Sequence, residues 1–269
     1  MINHFKSLNL LLISISIISI LGGLWQNQYV YDGYHWGLIF TNALELLNGK
    51  DPYSEIFLEY GFLTVFINGI TLKIFENNIY SLIGLTSIIY SLSLFFLGKI
   101  IYRLTENTFL SISSILIIFI LYPWPTTPWP NFYSFFFTIL FIYFYLGKNN
   151  LYHNLYAGLS LALAYLCLTT VYNLVLGIFF ALIIVFISKI ENKKKIINTF
   201  YSFIFIIILF IFYLKYKGNL NLWLEYQTIP FLVQSSFVEI DNSIFNLLLK
   251  YVNFLTIYPI KNFILEPQW

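Results

Sequence analysis

Six of the chain's twelve acidic residues, Asp32, Glu45, Asp51, Glu55, Glu59 and Glu76, fall in one stretch behind the first hydrophobic segment. Among them stand His35, Lys50, Tyr53 and Tyr60, in the runs Tyr31-Asp32-Gly33-Tyr34-His35-Trp36-Gly37 and Lys50-Asp51-Pro52-Tyr53-Ser54-Glu55-Ile56-Phe57-Leu58-Glu59-Tyr60-Gly61. A positioned carboxylate can take the proton of an attacking hydroxyl, a step worth typically ~100- to 10,000-fold in rate. Carboxylate oxygens also suit Mg²⁺, Mn²⁺ or Ca²⁺ better than zinc. If Asp32 opens a helical turn, His35 at i+3 shares its face, and Asp51, Glu55 and Glu59 share another at i+4 spacing. Asp32, His35 and Glu55 are therefore the candidate ligands should a divalent metal such as Mg²⁺ or Mn²⁺ be used.

Each residue also has a plainer reading. Asp32 fits the N-cap of the helix that follows it, and Lys50 fits a cation stabilising a helix C-terminus. Glu55 and Glu59 fit solvated interfacial charges, and Tyr53 and Tyr60 fit an aromatic belt at a membrane surface.

The elements that must position this stretch follow from composition. With 59% hydrophobic and 10% charged residues and a mean hydropathy of +0.78, a chain of 269 residues cannot hide its apolar surface in a soluble globule. Successive apolar runs approach the roughly 20 residues that cross a bilayer core and are apolar on all faces. That predicts an all-α, polytopic transmembrane helical bundle; a β-barrel would alternate apolar and polar residues.

Seven spans are expected. Leu8 to Trp25 follows Lys6 and precedes no small-residue cleavage site, so it reads as a retained anchor. Trp36 to Leu47 sets Ile39, Ala43, Leu46 and Leu47 on one side and stops at Asn48-Gly49, the pattern of a short amphipathic helix lying on the membrane surface. Phe62 to Phe75, with Asn68, Gly69 and Lys73, is a second surface helix or a tilted entry into the bilayer. Ile79 to Ile101 is a span. Phe109 to Tyr122 and Phe132 to Leu146 are shorter spans joined by Pro123 to Asn131, a proline-stiffened turn expected to be non-helical. Leu151 to Ile187 reads as a hairpin broken near Thr169 to Asn173, and Ile196 to Leu214 completes the set. Residues 1–217 thus form a transmembrane domain with a first external loop at 26–61, and 218–269 a more polar interfacial segment. Within that segment Ser243 to Tyr258, with Lys250 inside and Pro259 behind it, leaves an eighth span open.

Lys and Arg placement sets the orientation. An inside N-terminus puts eight cations in the cytoplasm: Lys6, Lys99, Arg103, Lys148, Lys189, Lys193, Lys194 and Lys195. It puts four outside, Lys50, Lys73, Lys215 and Lys217, and leaves Lys250 and Lys261 unplaced. The acidic loop is then external. The lone cysteine, Cys167, excludes an internal disulfide and reads as packing; His4 and His153 read as interfacial. No Walker loop, GxGxxG, HExxH or GxSxG is present, no internal repeat suggests an inverted-repeat transporter, and nothing points to nucleic acid.

A first span, Asp32 in the first external loop, a surface helix, then Gly49, Pro52, Tyr53 and the pair Tyr60-Gly61 is an order of features that resembles the GT-C superfamily of polytopic membrane glycosyltransferases. That group includes the dolichyl-phosphate-mannose protein mannosyltransferases and the lipid A aminoarabinose transferases. The resemblance covers Leu8 to Arg103, and the remainder only in its rhythm of spans. It implies transfer of a sugar from a polyprenyl-phosphate-linked donor to an acceptor glycan, lipid or protein at the external face, with Asp32 at the family's catalytic position. His35, Lys50, Asp51, Tyr53, Glu59, Tyr60, Tyr172 and Asn173 are the residues expected to bind substrate, His35 and Lys50 as partners of the donor phosphate. It further implies a multi-pass protein of a bacterial inner (plasma) membrane, among membrane lipids. Phe62 departs from a pattern in which proline often follows Tyr-Gly, and Tyr172-Asn173 stands where relatives often carry a charge. The length fits a fragment or a trimmed relative.

Two other classes remain. A non-catalytic scaffold of polysaccharide assembly would need no chemistry from the loop, and a lipid or solute transporter would want ionisable residues inside its spans, which carry essentially none.

Overall fold

The computed structural model describes residues 2–26, 28–29, 33–58, 60–75, 77–121, 128–168, 172–188 and 193–224. Among these the regular elements are all α-helices: α1 (Ile2–Gln26), α2 (Gly33–Leu47), α3 (Phe62–Phe75), α4 (Ile79–Thr105), α5 (Thr108–Leu121), α6 (Pro130–Tyr145), α7 (Leu151–Cys167), α8 (Tyr172–Ser188) and α9 (Lys193–Tyr216). The chain divides into two compact units, Met1–Leu220, which holds α1 to α9, and Asn221–Trp269, of which residues 221–224 are described. The segment Ser243 to Tyr258 lies outside the described residues.

The expected boundaries hold closely because local chemistry sets them. Asn78 and Asn150 cap α4 and α7, their side chains accepting from Tyr80 N and His153 N. Pro130 opens α6 at a position where a missing N–H costs nothing, so Pro130 and Asn131, expected in a non-helical turn, are helical. The break expected near residue 169 separates α7 from α8, with 169–171 outside the described residues.

Among the described residues three helices are long and apolar enough to cross a membrane: α1 over Leu8–Gln26, α4 and α9. That is fewer than the seven spans expected. The other runs fold as helices of 14 to 17 residues, and 17 residues at 1.5 Å each rise about 25 Å against a core of about 30 Å.

In Met1–Leu220 small polar side chains are buried alongside the apolar core, and many large apolar side chains are exposed. Ser19, Asn68, Thr86, Ser87, Ser93 and Ser111 are fully buried, whereas Leu10, Ile18, Leu21, Phe109, Ile120, Leu121 and Phe212 are exposed. Small and hydroxylated residues at helix interfaces allow close backbone approach and hydrogen bonds to carbonyls, as helices in lipid require. Ser16 and Ser111 donate to Ser91 O and Gly98 O across neighbouring helices, and Gly158 packs so tightly on α9 that a Cβ would lie 2.0 Å from Thr199 O.

α1 and α4 run antiparallel, whereas α4 and α6 run parallel, Tyr90 meeting Phe132 and Phe96 meeting Tyr143, as do α7 and α9, Gly158 meeting Thr199 and Tyr165 meeting Phe203. Leu12 meets Gly98 while Leu24 approaches Gly84, which sets α1 against α4. Ser111 meets Gly98 between α5 and α4, and Ser202 donates to Leu155 O between α9 and α7. This order gathers Lys99, Arg103, Lys148 and Lys193 to Lys195 at one end, the basic end. Lys50, Lys73, Lys215 and Lys217 go to the other, the loop end, together with Glu45, Asp51 and Glu55.

Candidate functional site at the loop end

α2 begins at Gly33, one residue after Asp32 in the chain. Asp32 itself lies outside the described residues, as does Glu59. α2 buries Trp36, Ile39, Asn42 and Ala43, one face at helical spacing. That face turns onto protein rather than onto a free surface, since Ile39 and Ala43 pack with Leu72 of α3 and Leu82 of α4. The predicted stop at Gly49 is a Schellman end: Gly49 has φ +85°, its N–H reaches Leu46 O at 3.1 Å, and Lys50 N–H reaches Glu45 O at 3.1 Å.

Beyond it the chain does not make the helix that would have put Asp51, Glu55 and Glu59 on one face. Pro52 and Ile56 form an isolated bridge, and Tyr53 takes φ +73°. Glu55 folds back so that its Oε2 accepts the Asp51 N–H at 2.7 Å, while Glu55 N–H and Ile56 N–H both reach Asp51 O. A non-glycine residue at positive φ is strained and persists only where its surroundings fix it. Here Tyr53, Ile56 and Leu58 are buried beneath the loop, Asn42 Nδ2 donates to Phe57 O at 2.9 Å, and burial raises the Tyr53 phenol well above its ordinary pKa.

α9 ends beside this loop in a second Schellman turn, with Gly218 at φ +75° and Asn219 N–H bonded to Leu214 O at 2.9 Å. Lys217 Nζ lies 2.7 Å from Asp51 Oδ1, and Asn219 Nδ2 donates to Pro52 O at 2.8 Å. Lys50 is paired at 2.7 Å with Glu45. Hydrogen bonding to these carboxylates, then their charge, raises both lysine pKa values above the ordinary range.

The loop leaves through Gly61, which lies against the last turn of α7. A Cβ there would stand 2.2 Å from Leu166 O, and Thr64 Oγ1 donates to Cys167 O at 2.7 Å. Just before it, the Tyr60 ring meets the Trp129 indole edge-on at 5.8 Å, and Trp129 also packs on His35, with ring centres 4.4 Å apart. The first turn of α2, the end of the acidic loop and the entry to α6 therefore meet in one aromatic cluster.

Of the residues singled out from sequence, His35 and Tyr60 are brought together, through Trp129. Lys50, Asp51, Tyr53 and Glu55 sit in the adjoining loop and bond to its own framework. Tyr172 and Asn173 begin α8, their side chains outside the described residues. The metal candidates His35 and Glu55 have separate neighbours, and among the described residues no group of three His, Cys, Asp or Glu side chains could hold a metal ion. Sequence reasoning missed Trp129, taken as part of a stiff turn, and Lys217 and Asn219. A Gly218 stop following a basic last turn was the available signal for that second helix end. Comparison of the chain with protein-family models, with curated proteins and with solved structures gives no match.

Proposed function

We propose that the protein is a seven-span membrane glycosyltransferase of GT-C type, moving a sugar from a polyprenyl-phosphate donor to an acceptor hydroxyl at the external face. The observation that carries the reading is the aromatic cluster of His35, Tyr60 and Trp129 at the loop end, beginning three residues after Asp32 in the chain. The basic charge at the opposite end supports an external loop by the positive-inside rule. In this reading the acceptor oxygen attacks the anomeric carbon, the bond to the phosphate oxygen breaks, and prenyl phosphate departs with the electron pair. Asp32 takes the hydroxyl proton. His35 is the basic residue nearest that aspartate in sequence, while Lys50 pairs with Glu45 and Lys217 with Asp51.

The test is Asp32→Asn in the native host, read by surface glycan and by mass spectrometry of extracted lipids. Loss of glycan with accumulated polyprenyl-phosphate sugar, at normal protein abundance, supports the proposal. Unaltered glycan overturns it in favour of a non-catalytic scaffold, a reading favoured by the structural engagement of Gly49, Asp51 and Gly61.

A further inference from the structure

The basic end carries Lys99, Arg103, Lys148, Lys193, Lys194 and Lys195 against one acid among the described residues, Glu106. Some of these cations are fixed by aromatic rings. The Arg103 guanidinium stands 4.6 Å from the Tyr143 ring centre and donates to Tyr143 O at 2.7 Å; Lys195 Nζ stands 4.2 Å from the Tyr145 ring centre. Such cation–π contacts orient a charge without neutralising it.

α9 starts on three consecutive lysines with no acid in its first turn. The positive end of a helix dipole favours carboxylates there, and with Glu191, two residues before the helix, as the nearest acid in the chain, the three lysines leave this end with excess positive charge. Around the cations runs an exposed apolar rim, including Phe109, Leu110, Leu151, Ile187 and Ile197. Cations bordering apolar surface match the depth at which lipid phosphates lie above acyl chains. A soluble polyanion would use the charge and leave the rim uncovered.

We propose that this end is a docking surface for the headgroups of anionic phospholipids. The inference is independent of any transferase activity. Its test is thermal unfolding of the full chain in a non-ionic detergent, with phosphatidylglycerol, phosphatidylcholine, inorganic phosphate or heparin added separately.

Phosphatidylglycerol is expected to raise the midpoint, and the other three to leave it unchanged. High salt is expected to remove at least about half of the increment, because surface attraction is screened. The triple variant Lys148→Gln, Lys193→Gln, Lys194→Gln, which alters exposed positions, is expected to lose a similar share. The opposite-end variant Lys50→Gln, Lys73→Gln, Lys215→Gln keeps it. Equal stabilisation by phosphatidylcholine overturns the proposal, as does a full effect of phosphate or heparin, which would indicate a soluble anion. Equal losses in the two variants overturn it as well. Should the triple variant fail to fold, Lys194→Gln alone and the salt dependence of the wild type decide: an increment unmoved by both overturns the proposal.

Discussion

Lys217 Nζ and Asp51 Oδ1 lie 2.7 Å apart, joining the end of α9 to the start of the acidic loop. The same two segments are joined again by Asn219 Nδ2 and Pro52 O, residues 167 positions apart in the chain. Two contacts between two tightly turned helix ends hold the loop in register, each helix end being stopped by a glycine at positive φ.

The clasp has a pH dependence of definite sign. Bonding to Asp51 raises the Lys217 pKa in the folded state, so its stabilisation is complete below the ordinary lysine value of 10.5 and fades as pH rises through the higher folded value. The difference in unfolding midpoint between wild type and Lys217→Gln is therefore expected to be constant near neutrality and to shrink in strong alkali. The exchanged pair Asp51→Lys with Lys217→Asp is expected to recover most of what either single change loses. A difference that grows with alkali would count against the pair.

Gly61→Ala forces a Cβ against the fixed backbone of Leu166 and Cys167, so the loop and α7 must separate. Overpacking that forces backbone to move costs about 1–3 kcal/mol, and the short Cβ distances here place Gly61→Ala toward the upper end of that range. Gly37→Ala, in α2 with nothing within 4 Å of the new atom, is expected to stabilise, by about 0.5–1 kcal/mol. Thermal unfolding or denaturant titration of the two variants separates them by sign.

The buried node on α3, α4 and α6 supplies a third prediction. Tyr133 donates to Asn68 Oδ1 at 2.6 Å and its oxygen lies 3.3 Å from Thr86 Oγ1, while Asn68 Nδ2 and Ser87 Oγ are buried without hydrogen-bond partners. Tyr133→Phe removes a partner and leaves Asn68 buried, a loss of about 1–3 kcal/mol. Adding Asn68→Leu removes the stranded polar group, so the double variant is expected to be more stable than the sum of the single changes. Additivity in this double-mutant cycle would argue against a coupled node.

Trp129 is the wall shared by His35 and Tyr60. Trp129→Leu is expected to leave the fold intact and to lower glycan output at unchanged abundance, if the loop end is the transferase site. Trp124→Leu, in the same proline-rich stretch, is expected to retain output. Equal outputs from the two variants would remove Trp129 from the site.

Much of this architecture is legible along the chain, for a physical reason. Hydrophobic runs and their punctuation act locally, so α3 begins and ends at the Phe62 and Phe75 expected for it, and α2 stops at Gly49 because that backbone needs φ > 0. The same local rules failed at the acidic loop. Spacing of Asp51, Glu55 and Glu59 suggested a shared helical face, whereas Pro52 and the buried Tyr53 turn the chain and Glu55 bonds back to the Asp51 amide.

What the sequence by itself determined is the solvent and the material: a chain too apolar for water, cut into helices, with its acids concentrated behind the first of them. Which groups meet was decided by tertiary structure. Lys217 stood as one external charge among four until helix packing carried the end of α9 to Asp51, and Trp129 stood in a stiff turn until α6 set it between His35 and Tyr60. Such encounters depend on helix register and crossing, which arise from backbone approach at glycines and serines buried between helices. No local pattern along the chain encodes the distance between its remote parts.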